Sequence, residues 1–313
     1  MRLFVLLAAW VSIAADAPTP IVLQGHPQSV TAVALSSDGK IVVSGDEEGE
    51  LRSWDVDHRK EQWRVEGHVG RVYAVAFSPD GTRFATAGGD KLVNLWDLSG
   101  RKVGALKGHT GRVYAIAYSA DGKTLASASK DATIRLWDVE TATTRAVLSG
   151  HGEGVSAVGL SNDGTVLVSS DRNGWVKTWS LPAGKIAATK DTGSGDVYSA
   201  AVTADGRTMA SVGKEGSATI WDVAGIKKLR DLPGHSDRVL TARFSPDGKR
   251  LATAGDDRIV RVWEVATGLP LASLKAGDDR IPGVAFSADG RVLAAACGDK
   301  SVRVWTLDAL SQP

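Results

Sequence analysis

Residues 108–138 read GHTGRVYAIAYSADGKTLASASKDATIRLWD, and this stretch decides the fold. It opens on Gly108-His109, turns at Asp121-Gly122 and ends on Trp137-Asp138. The same frame recurs along the chain. Trp54, Trp96, Trp137, Trp179, Trp221, Trp263 and Trp305 are spaced 42, 41, 42, 42, 42 and 42 residues apart. An Asp-Gly pair starts sixteen residues before each of them, at Asp38, Asp80, Asp121, Asp163, Asp205, Asp247 and Asp289. A Gly-His pair precedes five of them, at Gly25, Gly67, Gly108, Gly150 and Gly234. Three motifs in register at a period of 40–45 residues define a repeat architecture.

Within residues 108–138 and just beyond, the pattern predicts four short strands: Val113 to Tyr118, Leu125 to Ser129, Thr133 to Val139 and Arg145 to Leu148. They are rich in β-branched residues and Ala and do not alternate cleanly, as expected when both faces of a sheet are covered. Small residues such as Ala74, Ala76, Ala115 and Ala117 suit crowded inner strands. Seven such sheets, each packed between two neighbours, make an all-β, seven-bladed propeller. Only eight residues follow Trp305, too few for a last strand, while Ile21-Val22-Leu23 precedes the first Gly-His as a spare one. Pairing it with the last blade closes the ring and removes two exposed edges. Trimming residues 18–24 should then damage the fold.

The chain resembles the WD-repeat, beta-transducin-type family of β-propellers over residues 20–308. The resemblance implies a hydrogen-bonded network of the Gly-His histidine, a second-strand hydroxyl, the Trp and an Asp in the turn before the third strand. His68, Thr86, Asp90 and Trp96 match it, as do His109, Ser127, Asp131 and Trp137, and His235, Thr253, Asp257 and Trp263. Other copies depart. The first carries Glu48 at the turn and the fourth Asn173; the fifth lacks the His, and the seventh has Ala295 in place of the hydroxyl. The network is therefore expected to fail in the fifth and seventh blades, which should be the softest.

Composition narrows the function. The net charge of +1 gives no global field toward nucleic acid or an anionic membrane. Trp 10 against Phe 5 and Tyr 4 is explained by the repeated position. The one cysteine, Cys297, lies in an apolar run and reads as a buried strand residue. Five of six histidines belong to Gly-His pairs, and His58 lies in a polar loop. None is left for a nucleophilic triad, and no His/Cys/Glu cluster has metal spacing. No cofactor or catalytic residue is expected. Asp-Gly pairs supply too few oxygens for calcium and read as turns.

The N-terminus is laid out as a secretory signal peptide: Met1-Arg2, an apolar run from Leu3, and small residues that place cleavage near Ala14. Residues 1–14 are thus read as a signal peptide, 15–19 as a short segment and 309–313 as a tail. The apolar stretch is shorter than the ~20 residues that span a bilayer. The expectation is an exported bacterial-type member, periplasmic or secreted, soluble and monomeric.

The resemblance also implies that partners touch the face built from the loops before the first strands and the turns before the third. Positions three after the Gly-His histidine read Ser29, Arg71, Arg112, Gly154, Asp196, Arg238 and Arg280. Positions five after it read Thr31, Tyr73, Tyr114, Ser156, Tyr198, Leu240 and Pro282. The turn position reads Glu47, Gly89, Lys130, Arg172, Lys214, Asp256 and Gly298. Seven basic residues against three acidic, with three of the four tyrosines, mark this face as a candidate interface. Arg71, Tyr73, Arg112, Tyr114 and Arg238 are expected near its centre. The function this predicts is a non-enzymatic protein-interaction scaffold for an acidic or phosphate-bearing partner. The alternative is an anionic polysaccharide- or surface-polymer-binding module, with catalysis third. Trp63 and Trp175 lie off the repeated Trp position and are expected to pack between blades rather than form a sugar platform.

Overall fold

The computed structural model describes residues 18–307 except 182 and 194. The proposed signal peptide, residues 1–14, and the tail, 309–313, lie outside the described residues. Seven four-stranded antiparallel sheets form the ring. In the third blade the strands run Val113–Tyr118, Thr124–Ser129, Thr133–Asp138 and Thr143–Ser149 from the inside out. The last blade takes its outer strand from the other end of the chain. Ile21–Gln24 pairs with Ser301–Thr306, in the register Ile21 to Val304 and Leu23 to Val302. Leu23 is buried against Val302 and Val304 on one side and Trp54 of the first blade on the other. The tie is a hydrophobic staple as well as a ladder.

The core lies between blades, not inside one. Each of seven apolar clusters joins a blade to its neighbour. Trp137 of the third blade, for example, packs on Ala85, Val93 and Leu106 of the second. Covering both faces of each sheet explains why the strands carry apolar residues without strict alternation.

The Asp-Gly turns are held by their own side chains. Asp121 accepts from Ser119 Oγ at 2.6 Å and from the Lys123 N–H at 3.0 Å. The Ser119 hydroxyl first, then the backbone N–H, pulls the Asp121 carboxyl below its ordinary range. Gly122 sits at φ +69°, where a side chain is strained. Gly108 also has a positive φ, +151°, a backbone conformation that side-chain-bearing residues rarely adopt.

Two irregularities recur in the ladders. In the first six blades the register between the first and second strands shifts around one residue, as between Val113 and Ala115. The skipped residues are Thr31, Tyr73, Tyr114, Ser156, Tyr198 and Leu240. A bulge re-aims a side chain, and here each is freed from the ladder at the upper end of an inner strand. A second shift falls just before the Trp, as between Leu136 and Trp137.

Candidate functional site: the channel mouth

Beneath the upper face lies the structural network. A Trp N–H can only donate, so Ser127 Oγ accepts from Trp137 Nε1 at 2.8 Å. The hydroxyl proton is then free for His109 Nε2, 2.7 Å away. That leaves Nδ1–H to donate to Asp131 Oδ2 at 2.9 Å. The chain of donors fixes a neutral imidazole. Burial is the main cause that pushes His109 below its ordinary value. Burial alone would raise Asp131, but hydrogen bonds from Thr133, His109 and the Thr110 N–H hold it at about 2. The same relay runs from Trp96 through Thr86 and His68 to Asp90, and from Trp263 through Thr253 and His235 to Asp257.

The first and fourth blades complete the relay in a way the sequence reading missed. The acid is not Glu48 or Asn173 at the turn but Asp46 and Asp171, at the ends of the second strands. Asp46 Oδ2 takes His26 Nδ1 at 3.2 Å, and Asp171 Oδ2 takes His151 Nδ1 at 2.8 Å. Asp46 Oδ1 also accepts the backbone N–H groups of Glu48, Gly49 and Glu50. The signal was present: other copies place Gly88, Ser129, Gly213, Gly255 or Cys297 at this position, and a buried acid among small residues needs a partner. Among the described residues, the fifth blade keeps of this relay the bond from Trp221 Nε1 to Ser211 Oγ at 2.9 Å. In the seventh, Arg303 fills the histidine's place, donating to Asp299 Oδ2 and to the Ala276 carbonyl, both at 2.8 Å.

The fold does bring one trio of possible metal ligands together, His26, Asp46 and Glu50, contrary to the expectation that none would assemble. Their atoms are already engaged, Asp46 as above and Glu50 with Arg52 Nε at 2.6 Å. The Arg52 guanidinium beside the trio opposes a cation.

The bulges bring the candidate interface to the axis. Thr31, Tyr73, Tyr114, Ser156, Tyr198, Leu240 and Pro282, one from each blade, line a cavity of about 250 Å³ at the upper mouth of the channel. Arg71, Arg172 and Arg280 complete the rim, and Arg243 lies below them. Every charged residue in this lining is an arginine. Arg71 stacks over Tyr73 with Cζ 5.3 Å from the ring centre, and Arg172 over Tyr114 at 4.9 Å. Tyr73 and Tyr114 meet edge to face at 5.0 Å. Burial disfavours the charge on Arg71, and the neighbouring Arg280 adds like-charge repulsion. Arg71 Nε is buried without a hydrogen-bond partner. Cations so held favour an anion.

The centre differs from the sequence expectation. Arg112 reaches it only indirectly, through a 3.3 Å hydrogen bond to the Tyr73 hydroxyl. Arg238 is paired with Asp256 at 2.6 Å, and its charge is offset there. Arg172 and Arg280 take those places at the mouth. Lys130, Lys214 and Asp196 are exposed and lie outside the lining. The fourth tyrosine, Tyr118, is largely buried in its inner strand, and burial pushes its hydroxyl up.

Three further side chains complete the comparison. Cys297 is buried, which pushes its thiol up to about 11. Trp63 packs between blades, stacked on Phe84 at 5.8 Å with its N–H on the Leu98 carbonyl at 2.8 Å. Trp175 does not; it is 41% exposed, with Lys177 Nζ 5.9 Å over its ring. It begins the third strand of its blade, whose first position is not covered by the neighbouring sheet.

A ring of seven four-stranded blades, each indexed by a buried Trp and closed by strand exchange between the termini, defines a repeat propeller. The profile described as WD domain, G-beta repeat matches seven times, at residues 19–55, 59–97, 100–138, 142–180, 185–222, 226–264 and 268–306. The chain belongs to this family, whose propellers generally serve as protein-interaction scaffolds. No curated protein matches the chain significantly. Among the described residues no helix is long and apolar enough to cross a membrane.

Proposed function

We propose that this propeller is a non-enzymatic scaffold that docks an acidic or phosphate-bearing partner protein on its upper face. The carrying observation is the channel mouth, where Arg71, Arg172 and Arg280 stand with Tyr73, Tyr114 and Tyr198 and no carboxylate shares the lining. Arginine and tyrosine supply charge and rigid apolar area at low entropic cost, which suits them to binding hot spots. The N-terminal sequence supports export, so the partner belongs outside the cytoplasm. Fractionation of cells carrying the full chain tests that part; a cytoplasmic, uncleaved product would remove it.

The docking test is affinity capture from an extracytoplasmic extract by wild type and by a triple variant, Arg71→Glu, Arg172→Glu and Arg280→Glu. Retention of an acidic protein by wild type, weakened by salt and lost in the folded variant, is the expected result. Equal retention by both moves the site elsewhere. The exposure of Trp175 beside Lys177 favours a second reading, a platform for an anionic polysaccharide or surface polymer. That reading predicts saturable polymer binding that Trp175→Ala abolishes and the triple variant leaves intact.

A further inference from the structure

The inner strands repeat a small residue at their next-to-last position. It is Ala34, Ala76, Ala117, Gly159, Ala201 and Ala285 in six blades. In the remaining blade it is Arg243. The six small residues clear space at one level of the channel, and one guanidinium extends into it. Arg243 contributes to the lining of the upper mouth and of both cavities of about 260 and 300 Å³ deeper in the channel. Whichever end an anion enters by, it meets the same side chain.

Nothing in the fold accounts for this arginine. Its Nη1 donates to the Ala242 carbonyl at 2.9 Å and lies 3.4 Å from Ser199 Oγ. Among the described residues it forms no ion pair, and its Nε and Nη2 donate to no protein acceptor. The lining of all three cavities holds no Asp, Glu or His. Surrounding protein disfavours the charge of the guanidinium, but the side chain is exposed to the open channel and keeps its proton there. No carboxylate answers this charge within the channel, and six blades manage with Ala or Gly. The lower cavities set Phe77, Phe244 and Phe286 beside Ser37, Ser78, Asn162 and Ser245, and the upper mouth adds three more arginines.

We propose that the channel is an oxyanion-binding site, with Arg243 as its fixed bidentate donor and Arg71, Arg172 and Arg280 drawing the anion in. The ligand class is a phosphate, free or carried on a side chain. A planar guanidinium whose Nε and Nη2 donors are both unengaged matches two oxygens of one phosphate. The site rests on the chemistry of the channel and does not require a protein partner on the rim.

The test is calorimetric titration of the purified protein with inorganic phosphate, in a buffer free of other oxyanions, using wild type and Arg243→Met. Wild type should bind one phosphate saturably and gain in thermal midpoint. Arg243→Met should fold, gain nothing from phosphate, and bind it about tenfold to a hundredfold more weakly, the loss expected for a hydrogen-bonded charge. A parallel titration with N-acetyl-phosphoserine amide separates the sources. Arg243-dependent binding of both assigns the site to a side-chain phosphate, and of inorganic phosphate alone to the free anion. No saturable binding by wild type, or equal affinity in Arg243→Met, overturns the proposal. Collapse of the Met variant also counts against it, because it would give Arg243 the structural role denied here. If phosphate binds through Arg243 while the rim variant still captures its partner, the docking proposal fails and the channel site stands.

Discussion

Replacing Ser127 by alanine isolates what the relay contributes. Ser127 is fully buried, Trp137 is 1% exposed and the His109 side chain is equally enclosed. One hydroxyl serves both neighbours, accepting from Trp137 Nε1 and donating to His109 Nε2. Its removal therefore orphans a buried donor and a buried acceptor. Each unsatisfied group costs about 1–3 kcal/mol, so Ser127→Ala should lose about 2–6 kcal/mol. Ser211→Ala provides the internal control. The side chain is nearly as buried, but the fifth blade has no histidine, and only Trp221 Nε1 loses its partner. The expected cost is about 1–3 kcal/mol, roughly half. The volume change is the same in both, so packing cancels in the comparison. Equilibrium urea unfolding followed by tryptophan fluorescence measures both, with stability read from the midpoint at constant m. Equal losses within about 0.5 kcal/mol would refute the idea that the hydroxyl satisfies two groups.

Other consequences can be measured. Stability should fall on acidification in two stages. Burial keeps His109, His151 and His235 below their ordinary 6.5 in the fold, so the unfolded chain binds more protons below that pH. Stability is thus full above about pH 7 and declines as the pH drops through 6.5. Asp131 and Asp257, held at about 2 against an ordinary 3.8, add a second loss below about pH 4; stability that rises between pH 7 and 5 would contradict this. Asp46→Asn should cost about 1–3 kcal/mol by the same urea assay, whereas Glu48→Gln should be near neutral. Ala132 sits at φ +64°, where the first, fourth and fifth blades place Gly49, Gly174 and Gly216. Ala132→Gly should therefore be neutral or stabilising by up to about 1 kcal/mol, and a clear loss would show that the turn carries no strain there. Removing residues 18–24 should lower the melting midpoint and speed amide exchange in Ser301–Thr306. Exchange should also find the fifth and seventh blades opening before the sixth; the reverse order would show that Arg303 fully replaces the missing histidine.

The ring, its blade count and its closure were legible because they depend on what every copy shares. A Trp every 42 residues or so needs one place in the blade, and an Asp-Gly turn needs one backbone shape. Asp46 and Asp171 were missed because reading each copy against one template looks for the acid at one position. The relay asks only that a carboxylate reach Nδ1, and two backbone positions satisfy that. Charge on the upper face was legible too, but not its neutralisation. Arg238 and Asp256 lie eighteen residues apart, and only the fold brings the pair to 2.6 Å.

Specificity in such a ring has to come from the departures. Seven equivalent blades would place seven equivalent side chains around the axis and recognise nothing in particular. The bulge that frees one residue per blade is common to the first six, but what it presents runs Thr31, Tyr73, Tyr114, Ser156, Tyr198, Leu240, and Pro282 follows in the seventh. Tyrosines therefore crowd one side of the mouth and aliphatic groups the other. One level down the repeat is stricter, with five alanines and a glycine, and so its single exception carries more information. A guanidinium at a position that five other blades give to a methyl group adds to the fold's hydrogen bonding only one backbone carbonyl and a distant hydroxyl. What it brings is a charge, exposed in the channel and answered by no carboxylate of the lining, and that charge is what the proposed anion would use.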